Sequence, residues 1–78
     1  MRETKEISDT LLVAFLSIKK FQSIPKLYDG RVTFEVTGKG INQAIEDFYS
    51  NPAIPILDFC KTYRAIRSAL FNLRGNQR

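Results

Sequence analysis

The pair Asp29-Gly30 constrains the fold of this chain more than any other feature. A two-residue reversal of type I′ needs positive φ at both central positions, and Asp-Gly supplies it, so a strand is expected on each side. Downstream, Val32, Phe34 and Val36 alternate with Arg31, Thr33 and Glu35, which reads as a strand with one apolar face. Upstream, simple register sets Leu27 opposite Val32 and Pro25 opposite Phe34. Pro25 has no amide hydrogen to donate, so the first arm is expected at a sheet edge. The hairpin is read over 23–36. Two strands alone are marginal in water, so this hairpin must lie on helices or pair with another chain.

The helices follow from spacing. Asp9 is an N-cap candidate for a helix over 9–21, where Leu11, Ala14, Phe15, Ile18 and Phe21 fall on one stripe. Val13 and Leu16 lie off that stripe. Either this helix is buried broadly, or those two residues mark a contact surface. Ile41, Ala44, Ile45, Phe48 and Tyr49 predict a second helix over 41–50, ended by Asn51-Pro52. Pro55 suits the start of a third helix over 55–74, with Asp58 near its positive end. Its apolar seam is Phe59, Tyr63, Ile66, Leu70 and Leu73. Residues 1–7 show no period and are expected to be a loose tail, and 76–78 a frayed end. The expectation is therefore an α+β fold, helix, β-hairpin, helix, helix, in a single small domain over 8–75.

With 78 residues the chain buries roughly 60% of its surface on folding, and ordering it costs on the order of 100 kcal/mol of conformational entropy. The six Phe and three Tyr are expected mostly inside, where each offsets much of that cost. Cys60 is the only cysteine, so no internal disulfide staples the fold, which fits a reducing, cytoplasmic compartment. No secretory leader is read, and the apolar run 11–16 is far too short to cross a bilayer, so no membrane partner is inferred.

The chemistry of catalysis is thinly represented. The chain has no His, which removes most nucleophile–base pairs and most zinc sites. Cys60 without a base reads as a small inert thiol. Glu46 and Asp47 are adjacent, so on a helix they diverge by about 100° and do not form a paired-carboxylate site. Gly38-Lys39-Gly40 precedes a helix, as phosphate-holding turns do. It lacks the spacing and the Ser/Thr of a nucleotide-binding loop and reads as a flexible strand-to-helix turn. The expectation is a protein that is not an enzyme, with no cofactor, no metal and no small-molecule substrate.

Charge placement is more informative. Residues 1–58 carry seven Lys/Arg and eight Asp/Glu, a balance of −1. Residues 59–78 carry Lys61, Arg64, Arg67, Arg74 and Arg78 and no acid. Lys61, Arg64, Arg67 and Arg74 share one side of the third helix's apolar seam, where they can neutralise phosphates. Tyr63 is expected to add stacking on an unpaired base.

Three stretches resemble a family of short uncharacterised domains, a domain-of-unknown-function family found in bacteria, archaea and their viruses. They are Ser8-Asp9 with the Ala/Leu-rich run that follows, the Gly-led strand Gly30 to Val36, and Asp47-Phe48-Tyr49-Ser50-Asn51 before the longer basic helix from Phe59 to Leu73. The likeness spans most of 8–73 and departs at Val13 and Pro25. It implies a compact α+β module, often in viral or mobile genomes, and it implies no activity. The reading is a small basic binding module that contacts nucleic acid through the C-terminal helix. The alternative is a protein-interaction or homodimerisation module that uses the hairpin edge.

Overall fold

The computed structural model describes the backbone of residues 3–75 and the side chains of residues 3–73. The order of elements is β1 (Glu3–Ile7), α1 (Thr10–Ile18), β2 (Gln22–Tyr28), β3 (Arg31–Gly38), α2 (Ile41–Tyr49) and α3 (Ile56–Gly75). The fold is α+β, with the expected run of helix, hairpin, helix and helix, and with one strand more than the hairpin supplies. The antiparallel sheet has the order β1-β3-β2.

The hairpin forms as its turn dictates. Asp29 and Gly30 both take positive φ, 51° and 77°. Leu27 pairs with Val32 and Pro25 with Phe34, which places Pro25 on the edge strand β2. Val32, Phe34 and Val36 are buried on one face of β3, and the helices cover that face. The molecule is correspondingly thin, 39 × 31 × 17 Å, close to the depth of one sheet and one helix layer.

Residues 1–7, expected as a loose tail, are corrected by β1. Glu3–Ile7 pairs antiparallel with β3, from Glu3 opposite Gly38 to Ile7 opposite Phe34. The physical reason is the open edge that β3 would otherwise present. Ile7 fills the end of the core, the Thr4 and Thr37 hydroxyls bond at 3.0 Å, and Asn42 Nδ2 donates to Glu3 Oε2 at 3.1 Å. Residues 1–2, and the expected frayed end at 76–78, lie outside the described residues.

In α1 the Asp9 carboxylate accepts from the amides of Leu11 and Leu12, so the N-cap forms as expected. The helix stops at Ile18, three residues short of the predicted end. Lys20 takes φ 74°, its amide donates to the Ser17 carbonyl, and the Phe21 amide donates to the Leu16 carbonyl, each at 3.0 Å. This paired closure is the Schellman arrangement. It releases Phe21 to pack its ring over Gly38, where a Cβ would collide with it.

Val13 and Leu16 are fully buried, which overturns their reading as a contact surface, whereas Leu11 from the predicted stripe is 45% exposed. The cause is position, because α1 touches α2, α3 and all three strands and is enclosed on most sides.

The core joins Ile7, Leu12 to Leu16, Val32, Phe34, Val36, Ile41, Ala44 and Ile66. Each large side chain buried there contributes roughly 1.5–3 kcal/mol over an exposed one. Phe48 of α2 meets the Phe15 ring at 5.5 Å in a tilted pair, which fixes α2 against α1. Gly40, at φ 77°, opens α2, and Asn51, at φ 59°, follows its end as the sequence predicts. The Pro55 carbonyl accepts from Phe59 N–H and opens α3, which docks mainly on α1. Among the described residues no helix is long and apolar enough to cross a membrane.

Candidate nucleic-acid interface

α3 carries the candidate site, and its sequence decides which side is wet. Phe59, Tyr63, Leu70 and Leu73 are half-buried against the core, and Ile66 is buried. At about 100° per residue, Lys61, Arg64 and Arg67 step round the opposite and flanking side in increments of about 60°. All three are exposed. The only ion pair among the described residues is Lys26–Glu35, 3.7 Å apart on the outer face of the sheet, so Lys61, Arg64 and Arg67 keep their charge unpaired there. Asp58 is the one acid of α3, and it stands in the first turn, at the positive end of the helix.

The three cations span six residues, or roughly 9 Å of helix. Successive phosphates of one nucleic-acid strand rise about 3.4 Å each, so that span covers two to three of them. Arg74 lies in the last turn of α3 by its backbone, and its side chain falls outside the described residues.

Tyr63 is not where base stacking requires it. It belongs to the half-buried seam, and its ring lies parallel to that of Phe59, 2° apart in plane with centroids at 6.4 Å. The exposed aromatic on α3 is Phe71, 75% exposed and within about 20° of Arg64 on the helical wheel. Leu57, 81% exposed, lies about as close to Arg64 on its other side. Sequence reasoning missed Phe71 because it treated aromatic residues as core. The helical wheel carried the signal, since Phe71 falls more than a quarter-turn from the centre of the seam.

Cys60 is half-buried and on the helical wheel falls between Arg67 and Arg64. Asp47 is engaged locally, accepting from Gln43 Nε2 at 3.1 Å. Among the described residues no group of three His, Cys, Asp or Glu side chains gathers as metal ligands do.

The hairpin edges are altered by β1. One edge of β3 is taken, so the described residues form three strands rather than the two expected, and among them β2 alone of the hairpin lacks a partner on its outer side.

No protein-family model, curated protein or solved structure matches this chain. The likeness to short uncharacterised domains therefore rests on the motifs quoted above.

Proposed function

We propose that this protein is a non-enzymatic module that binds nucleic acid through the phosphate backbone, using the exposed side of α3. The observation that carries the reading is the set of three exposed cations, Lys61, Arg64 and Arg67, with no acidic partner among the described residues. Arg74 extends the same charged segment in sequence. Contacts of this kind are sequence-independent, salt-sensitive and individually modest. Phe71 takes over the stacking role that the sequence assigned to Tyr63, since its ring is open to an unpaired base beside the cations. This favours single strands, or the ends and loops of RNA, over an intact duplex. Membership of the short uncharacterised family, with its viral or mobile-element setting, belongs to the same proposal and adds no activity to it.

The test is binding to single- and double-stranded DNA and RNA across a salt series. Binding that weakens steeply with salt and is tightest for single strands is expected. An absence of salt-dependent binding at low ionic strength overturns the reading.

One observation favours the alternative, homodimerisation through the hairpin. Among the described residues the outer edge of β2 has no strand beside it, and Ile24 and Tyr28 of that strand are exposed. Pairing of two β2 edges would give a six-stranded sheet across the dimer. Pro25 stands in the middle of that edge and interrupts its row of donors. Light scattering over a concentration range separates the two readings, and a strict monomer removes the second.

A further inference from the structure

Away from the exposed side of α3, a cleft of about 390 Å³ opens where the end of α1 meets the end of β3. Three lysines line it, Lys19 and Lys20 from the close of α1 and Lys39 from the turn after β3. Gln22 and Thr37, paired across the sheet, complete its polar wall. Among the described residues no carboxylate lines the cleft. Among the described residues the wall therefore offers donors and positive charge with no carboxylate beside them, and none of the three lysines makes an ion pair, the Lys19 ammonium standing 5.5 Å from the centroid of the Phe15 ring.

Two cations at the end of a helix have an ordinary explanation, since they offset the negative pole of its dipole. That pole amounts to roughly half an elementary charge. Three ammonium groups exceed it several-fold, and Lys39 arrives from a different segment. The backbone adds a second observation. Lys20 holds φ 74°, a conformation that closes α1 and that glycine adopts without strain. Closure of the helix alone does not call for lysine there, and closing on lysine adds a third lysine to the lining of the cleft. Phe21 and Gly38 belong to the lining as well, and the ring lies against Gly38 at a contact that leaves no room for a Cβ.

We propose that this cleft is a second anion site, which takes clustered phosphate oxygens. Lys binds phosphate as a point charge, and several ammonium groups around one opening select a ligand with more than one negative charge. The cleft is larger than a single phosphate needs and falls in the range of ligand pockets. Di- or triphosphate chemistry fits it, whether from a free nucleotide or from the phosphorylated end of a strand. The site uses none of Lys61, Arg64 or Arg67, so it stands or falls separately from the α3 reading.

The experiment is an amide-shift titration of the full chain with inorganic pyrophosphate at fixed ionic strength. Saturable shifts are expected at residues 19–22 and 37–39. The Lys19→Gln/Lys39→Gln double variant should bind about tenfold more weakly, since contacts between exposed charges are individually modest. Both residues are exposed, and retained amide dispersion verifies the fold. A variant with Lys61, Arg64 and Arg67 changed to Gln should keep wild-type pyrophosphate affinity.

A 5′-phosphorylated oligonucleotide then distinguishes the sources. Displacement of pyrophosphate by it, and not by the unphosphorylated strand, assigns the site to strand ends. Displacement by a nucleoside triphosphate alone assigns it to free nucleotides. Shifts no larger than chloride produces at the same ionic strength overturn the site. So does a double variant with unchanged affinity.

Discussion

Lys20 and Gly38 are the two residues whose replacement local geometry decides, Lys20 by its left-handed backbone and Gly38 by the Phe21 ring packed against it. A non-glycine residue in the left-handed region costs roughly 1 kcal/mol. Lys20→Gly is therefore expected to raise stability by about 0.5–1 kcal/mol, read as a rise of a few degrees in Tm. A fall in Tm would mean that the lysine side chain does more for the folded state than the strain takes away. Gly38 has the opposite sensitivity. Gly38→Ala sets a methyl group against the Phe21 ring and is expected to cost about 1–3 kcal/mol in urea denaturation. In a Phe21→Ala background the same substitution should cost much less, because the colliding ring is gone. Equal costs in both backgrounds would show that Phe21 does not lie on Gly38.

At the scale of elements, β1 separates this fold from a bare hairpin carrying helices. Ile7 is the strand's one buried side chain, and it faces Phe34. Ile7→Ala should cost about 2 kcal/mol or more by chemical denaturation, whereas a residue in a loose tail would change stability by less than about 0.5 kcal/mol. The sequence left β1 illegible for a physical reason. Glu3, Thr4, Lys5 and Glu6 are all exposed, so no apolar alternation marks the strand, and its partner lies some thirty residues away. By contrast β2, β3, α2 and α3 were legible within a residue or two. Each carries its own local signal, Asp29-Gly30 for the reversal, Asn51 and Pro55 for helix ends, and apolar rows of period two or 3.6. α1 was half legible. Its N-cap was evident, but a helix apolar on nearly all sides has no stripe to orient it, and a Lys at the closing position gives no stop signal.

Across the whole molecule, charge segregation translates into surface geography only in part. Lys61, Arg64 and Arg67 were legible as outward cations because the seam they flank is strongly periodic. Tyr63 belongs to that seam, and the same periodicity that exposes the cations turns it inward. The cleft of Lys19, Lys20 and Lys39 had no sequence signature as a unit. Its lysines come together only because β2 and β3 pair, setting Gln22 beside Thr37. The two basic regions differ in kind. The α3 side is open and suits an extended backbone, whereas the cleft is concave and suits clustered phosphates.

The central claim is that the α3 cations act together on phosphate. The slope of log K against log salt for a single-stranded oligonucleotide tests it most directly, measured by anisotropy for the wild type and for the variant with Lys61, Arg64 and Arg67 changed to Gln. Three phosphate contacts predict a wild-type slope of about −2 for single strands, and close to −3 for duplex. The variant should bind weakly, with a slope clearly shallower than that of the wild type. A variant slope equal to that of the wild type would contradict the account, because the released counterions would then belong to charges elsewhere on the molecule.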